Sequence, residues 1–295
     1  MSVYLGTEKI SVYTGGIIVK NCGQYVWSKQ ESETGPIIEY VIGDTEADYP
    51  NGGLKDGFWY TLKLGPTPPA CLSFIGNEDF TLKTYNTTKN WDGTLEYSTD
   101  KSTWSTWDGT EISSSGTKLY LRGTGNTKIT GNANKYGFVF TGTSALKIAC
   151  KGNIENLLDY ETVSAGGHPT MAKYCYSSMF LGCTSLTTAP TLPATTLAYG
   201  CYAYMFRGCT SLTTAPELPA TTLADYCYRH MLRGCIKIKL STTQTGEYQT
   251  AYRIPTSGTG TTAADALFDM FDNTGGTFTG TPEINTTYYA SDTVV

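Results

Sequence analysis

The sequence predicts a mainly β protein with short helices: an N-terminal β region, an antiparallel β-sandwich, then a stacked-repeat solenoid. Three observations carry this. Threonine alone outnumbers the 26 acidic and 21 basic side chains together, alongside 32 glycines and 22 tyrosines. Such β-branched, aromatic and glycine-rich chains favour strands and turns. A central stretch repeats with a 26-residue step, and short alternating runs separated by turn residues fill the part before it. A length of 295 residues allows two or three domains with real cores, here 1–64, 65–142 and 143–295.

Residues 1–64 contain strand-like Ile17-Ile18-Val19 and a second run over 37–42 that leads to an aromatic segment at 49–60. Gly65-Pro66-Thr67-Pro68-Pro69 reads as a proline-rich linker. Beyond it lie Leu72-Ser73-Phe74, Phe80-Thr81-Leu82-Lys83, Leu95-Glu96-Tyr97, Lys118-Leu119-Tyr120-Leu121 and Phe138-Val139-Phe140. Turn signals at Asp92-Gly93, Asp108-Gly109 and 123–125 separate them, and 99–102 reads as a hairpin tip. Short strands at this spacing predict an antiparallel sandwich.

The repeat is the strongest signal. Residues 175–200 and 201–226 agree at 20 of 26 positions. Cys175, Cys201 and Cys227 keep the step, as do Cys183, Cys209 and Cys235, and Met179, Met205 and Met231. A fixed period of this size marks a solenoid whose units bury their faces against one another. Within a unit, Leu197, Cys201, Met205 and Cys209 recur every fourth position, which predicts one stripe of a short helix ending at Gly208. Ser211-Leu212-Thr213-Thr214 predicts a short strand, limited by Pro216.

The repeat is expected to extend, in decayed form, over about 146–285. Without a gap, Leu157 falls in the Cys183 slot and Tyr160 in the Leu186 slot, as an opening turn. Downstream, Met270-Phe271 lies 39 residues beyond Met231, an excess of 13. A further insertion at Gly275-Gly276 puts Phe278 in the Leu212 slot.

The elements Met179-Phe180, Gly182-Cys183-Thr184-Ser185-Leu186 and Pro190, repeated at Met205-Phe206, 208–212 and Pro216, resemble leucine-rich repeats of the BspA-like type. Ser2-Val3-Tyr4-Leu5-Gly6 and the 49–60 segment resemble the starts of minor structural, tail-associated proteins from phages and prophages of gut Firmicutes. This second resemblance implies a virion protein assembled in the host cytoplasm. That destiny fits a start without the basic and apolar regions of a secretory signal and an end without a wall anchor.

The chemistry-bearing residues do not form an enzyme signature. The i, i+8 cysteines lack the close pairs of zinc sites, which leaves buried thiols or disulfides between adjacent turns. His168 and His230 have no nucleophile motif beside them, and Asp79, Glu96 and Asp108 read as turn acids before they read as a glycosidase pair. Trp91, Tyr97, Trp104, Trp107 and Tyr120 crowd one β region, as core or as a sugar platform; Trp104 and Trp107, three apart on a strand, face opposite ways. No catalytic residue, cofactor or metal is expected. The net charge of −5 argues against nucleic acid, and no run reaches the apolar length of a membrane span.

Positions that break the repeat define the candidate contact face. Ser178 becomes Tyr204 and then His230, Leu181 becomes Arg207 and then Arg233, and Thr191 becomes Glu217. Lying between inward stripe positions, Tyr204, Arg207, His230 and Arg233 are expected to point outward, and Glu217 lies on the bend. The expected function is a tail-tip or tail-fibre component that displays this face to a host surface protein or glycan. Residues 1–64 would join other tail or baseplate proteins, and the chain would form a homo-oligomer, as trimers are common among fibre proteins. The alternatives are a virion scaffold or decoration protein and, third, a carbohydrate-active enzyme.

Overall fold

The computed structural model describes the backbone at residues 3–5, 8–10, 25–30, 37–43, 59–64 and 263–264, and whole residues over 71–131, 137–254, 265–284 and 286–291. The chain divides into two compact units, 1–69 and 70–295. It is mainly β, with several sheets and, among the described residues, two short helices.

In the first unit, β1 (Val3–Leu5), β2 (Glu8–Ile10), β3 (Tyr25–Gln30), β4 (Ile37–Gly43) and β5 (Trp59–Leu64) form one sheet in the order β2-β1-β5-β3-β4. β1 runs parallel to β5, while β3 is antiparallel to both β4 and β5. The expected run at 37–42 is thus a strand, whereas Ile17-Ile18-Val19, the 49–58 stretch and the 65–69 linker lie outside the described residues.

The second unit begins with β6 (Leu72–Gly76), β7 (Thr81–Thr84), β8 (Thr94–Ser98), β9 (Ser105–Trp107), β10 (Ile112–Ser113), β11 (Lys118–Thr124), β12 (Phe138–Thr141) and β13 (Ile148–Lys151). Next come α1 (Asn156–Ser164) and β14 (Leu186–Thr188). A three-stranded sheet, β10-β7-β12, and a six-stranded sheet, β14-β13-β6-β11-β8-β9, share one core. Alternation places Leu72, Phe74, Leu119 and Leu121 inward, where Phe74 meets Phe138 and Phe140. The 99–102 tip closes the β8–β9 hairpin. Asp100 accepts the Ser102 and Thr103 amides there, and those bonds hold its carboxyl well below the usual carboxylate range.

Two expectations change here. Residue 142 is not a boundary between compact units, because β13 and β14 join the same sheet as β6, β8, β9 and β11. Gly123 is not in a turn either; it sits inside β11, paired with Leu95.

The 26-residue units carry no α-helix at 175–183 or 201–209. Left-handed backbone recurs every fourth residue, at Tyr174, Ser178 and Gly182, then Gly200, Tyr204 and Gly208, then Tyr226, His230 and Gly234. Each such residue closes a tight turn, so the N–H groups of Ser177, Met179, Leu181 and Cys183 bond the carbonyls three residues back. The intervening Tyr176, Ser178, Phe180 and Gly182 donate instead to the carbonyls of Cys201, Ala203, Met205 and Arg207, at 2.8–2.9 Å. An α-helix would spend those donors within its own segment. The four-residue stripe therefore reflects a chain of four-residue turns stacked on the next unit, and the 3.6-residue reading of it was the wrong period. Of the predicted strands, β14 forms at Leu186–Thr188, whereas the equivalent 211–214 stretch is no strand and meets the previous unit through Thr213, whose N–H and Oγ1 both donate to the Thr187 carbonyl.

The stack continues in both directions. Tyr202, Tyr204, Phe206 and Gly208 donate to Cys227, Arg229, Met231 and Arg233. Tyr228, His230, Leu232 and Gly234 then donate to Ala266, Phe268, Met270 and Asp272. The donor-to-acceptor step rises from 25 to 38, so the excess of 13 residues is real and residues 266–272 belong to the stack. Before 175, the neighbouring layer comes from residues 129–130 and 138: Ile129 and Thr130 donate to the Cys175 carbonyl and Phe138 to that of Met179. β13 lies alongside β14, with Ile148 opposite Leu186. The ungapped opening turn at 149–174 is thus corrected, since Ile148 and not Tyr160 stands beside Leu186.

The last sheet is β16-β18-β15-β17, formed by β15 (Lys239–Ser241), β16 (Tyr248–Arg253), β17 (Gly275–Gly276) and β18 (Thr287–Ser291), with α2 (Ala263–Leu267) before β17. Gly275 pairs with Lys239, so Gly275-Gly276 is the strand itself rather than an insertion, and Phe278 lies beyond the Leu212 column.

Stacking aligns like with like in the interior. Tyr176, Tyr202 and Tyr228 lie ring over ring at 5.6 and 5.9 Å, and Phe180 lies over Phe206 at 5.5 Å. All six repeat cysteines are free and buried. The Cys183, Cys209 and Cys235 thiols donate to the Phe138, Phe180 and Phe206 carbonyls. Burial pushes the Cys183, Cys227 and Cys235 thiols up to about 12. At pH 8, iodoacetamide is therefore expected to spare all six in the native protein and to alkylate them in denaturant, read by mass spectrometry of digested protein.

Candidate functional site

The turn stack fixes where each variable side chain goes. Left-handed positions every fourth residue put Ser178, Tyr204, His230 and Asp269 in one column, one residue per layer. Gly182, Gly208 and Gly234 stand in the next column, where the left-handed backbone suits glycine, while a Cβ on Gly234 would meet Gly208 Cα in ordinary contact at 3.6 Å.

Four of the five predicted contact residues come together. The half-buried Tyr204 ring lies tilted against His230 at 4.9 Å, and the exposed Arg207 guanidinium lies 5.8 Å from the Tyr204 ring. Arg233, half-buried, reaches Asp269 at 3.4 Å and Asp272 at 3.0 Å. His230 corrects the expectation of an outward side chain. It is 6% exposed, packed under Tyr204 and edge-on to Phe268 at 5.4 Å. Glu217 is exposed but stands elsewhere, in a cleft of about 630 Å³ on the proline bends, with Pro190, Pro216, Tyr252 and Arg253.

Sequence reasoning placed Arg229 among the outward, repeat-breaking positions but left it out of the contact set, and it missed Phe268, Asp269 and Asp272; all four complete the face. Arg229 covers the Phe268 ring at 4.7 Å. The 39-residue step from Met231 to Met270 places Asp269 in the His230 column and Asp272 in the Arg233 column, so the signal was present in the register. The face thus alternates arginine, aromatic ring and aspartate, with each inner Arg held by an acid and Arg207 at the open end.

Electrostatics ties this face to pH. Burial lowers the His230 pKa below 6.5, and Arg229 and Arg233 add to it while Asp269, at 3.8 Å, opposes. A folded pKa below the unfolded one means that the unfolded state binds more protons in that window, so stability falls as pH drops through about 6.5. Denaturant midpoints measured from pH 7.5 to 5 are expected to fall, and His230→Gln is expected to flatten that part of the profile.

The other candidates resolve into structural roles. Asp79 accepts the Thr117 amide, Glu96 binds Arg122 at 2.7 Å, and Asp108 accepts from Thr110. Trp91 and Trp107 are core, stacked on each other at 5.2 Å. Trp104 is half-buried and covered by the Arg122 guanidinium at 4.1 Å, a cation–π contact that also engages Tyr160. Among the described residues no helix is long and apolar enough to cross a membrane, and no cluster of three or more His, Cys, Asp or Glu could hold a metal ion. Comparison with protein-family models, curated proteins and solved structures yields no match for this chain.

Proposed function

We propose that the chain is a non-enzymatic phage virion protein, a tail-tip or tail-fibre component, whose 26-residue units form a BspA-like leucine-rich-repeat coil presenting a host-contact face. The observation that carries this reading is an interior that repeats beside positions at and just under the surface that do not. Cysteine, tyrosine, phenylalanine and methionine recur in register through the stacked layers, while Ser178 gives way to Tyr204 and then His230, and Leu181 gives way to arginine at 207 and 233. Backbone bonds hold that surface at fixed spacing, so side chains can vary without altering the frame.

Residues 1–64 attach the chain to neighbouring tail or baseplate proteins, and several copies in a homo-oligomer give avidity through effective concentration. The ligand is a host surface protein or glycan, met by Tyr204 and Arg207, residue types favoured at binding hot spots. The test uses the full chain, because a fragment starting at 143 would cut the shared sheet. Tyr204→Ala with Arg207→Ala is expected to lower host-cell binding at least about tenfold while leaving the melting temperature unchanged. Undiminished binding by this pair would remove the contact face from the reading.

A further inference from the structure

His168 and Glu155 form a pair that neither the turn stack nor the contact face uses. Glu155 precedes α1, its side chain is 1% exposed, and its Oε2 lies 2.8 Å from His168 Nδ1. Its other oxygen, Oε1, is buried with no hydrogen-bond partner. Burial raises the Glu155 pKa, an effect that the His168 hydrogen bond opposes. A half-satisfied buried carboxylate costs stability, and such groups persist where a site needs them. What Glu155 supplies here is orientation. By accepting from Nδ1–H it selects the imidazole tautomer whose Nε2 carries a lone pair, on a side chain that is half exposed.

His168 lines a cleft of about 270 Å³, walled also by Pro169, Thr170, Met171, Thr195, Thr196 and Leu197. This is somewhat below the roughly 300–1,000 Å³ of sites for drug-sized ligands, so it suits a single ring. No lysine or arginine lines it, which disfavours phosphate or carboxylate ligands, and the one acid is buried and already paired. Three exposed threonines, Thr170, Thr195 and Thr196, and the imidazole share the lining with the apolar side chains of Pro169, Met171 and Leu197. Hydroxyls around a weakly apolar face are the chemistry of a sugar ring.

We propose that this cleft binds one neutral sugar unit, with His168 Nε2 accepting a ring hydroxyl and Glu155 acting as the positioning residue. The inference is separate from the Tyr204–Arg207 face: alanine at those two positions leaves it intact, and its failure leaves the attachment reading standing.

The chain has only two histidines, so the imidazole signals can be followed individually by NMR, with His168→Ala assigning them. The full chain is titrated with glucose, galactose, N-acetylglucosamine and rhamnose, each to about 50 mM. At least one is expected to move the His168 signals saturably, with a Kd on the order of 1 mM, and to leave His230 unmoved. Glu155→Ala is expected to weaken that titration at least about tenfold, and Glu155→Gln, which keeps an acceptor for Nδ1–H, to restore most of it. Thr196→Trp, which fills the cleft from its exposed rim without touching the pair, is expected to abolish it. If none of the four sugars moves His168, or if both Glu155→Ala and Thr196→Trp titrate like the natural chain, the proposal is overturned.

Discussion

Phe206→Ala is expected to destabilise the chain by about 3–5 kcal/mol, the usual cost of deleting a fully buried phenylalanine ring. The ring is 0% exposed and lies parallel to Phe180 at 5.5 Å. Its backbone is equally committed: the N–H donates to the Met231 carbonyl, and its own carbonyl accepts the Cys209 N–H and the Cys235 thiol. Collapse around the cavity is therefore restrained by layers on both sides, which puts the cost toward the upper end. The loss also spreads. Phe180 touches Phe140, Phe138 and Phe74, so the aromatic chain runs from the repeats into the two-sheet core. With β13 and β14 continuing the sheet of β6 and β11, residues 70–295 are expected to unfold in one transition. Urea denaturation of a Trp27→Phe, Trp59→Phe background, followed by the fluorescence of the three tryptophans of 70–295 and by hydrogen exchange of the Tyr202 and Phe206 amides, checks both points. The midpoint drops for Phe206→Ala, and the two probes coincide.

How much of this was legible in the sequence depends on which physical signal each element left there. The strands at 72–76 and 81–84 wrote themselves as two-residue alternation, because Leu72, Phe74, Leu82 and Thr84 are buried while Ser73, Thr81 and Lys83 between them are not. The 13-residue excess before Met270 was legible because a column of buried methionines tolerates few substitutes. The turn stack was misread because a four-residue period lies close to the helical 3.6, and the decisive feature, left-handed backbone at Ser178, Tyr204 and His230, occurs at side chains that rarely adopt it. Stacking over-determines those conformations: each of the three donates its N–H to a carbonyl one layer away. The layer before 175 was invisible, because its bonds come from Ile129, Thr130 and Phe138, around which the sequence carries none of the repeat. The Glu155–His168 pair, thirteen residues apart, had no local motif to announce it, whereas Asp269 and Asp272 were recoverable from the register alone.

Gly123 carries the second large effect and shows what a glycine inside a strand can mean. Its backbone is not left-handed, so an alanine there would face no conformational penalty, and the whole effect is steric. A Cβ at this position would meet the Leu157 carbonyl oxygen at 1.7 Å and the Asn126 Nδ2 at 2.7 Å. The contact is with backbone, which no rotamer change relieves. α1 begins at this point and packs directly on β11, so the alanine must lift the Leu157–Leu158 turn away from the sheet. That breaks a buried network: Asn126 Nδ2 donates to Leu157 and Thr94 carbonyls at 3.0 and 2.7 Å, Asn126 N–H to the Leu158 carbonyl at 2.9 Å, and Gly93 N–H to Asn126 Oδ1. Overpacking costs about 1–3 kcal/mol, and each buried polar group left unpaired adds about 1–3, so Gly123→Ala is expected to lose at least about 3 kcal/mol. Gly246→Ala is the control: its backbone is not left-handed, a Cβ there meets nothing within 4 Å, and its midpoint is expected to stay put or rise slightly. Hydrogen exchange locates the damage. In Gly123→Ala the Asn126 amide, which bonds the Leu158 carbonyl, loses protection first, while Tyr202 and Phe206 amides in the turn stack keep theirs under native conditions. Equal midpoints for the two glycine variants would mean that α1 does not rest on β11 through this backbone contact.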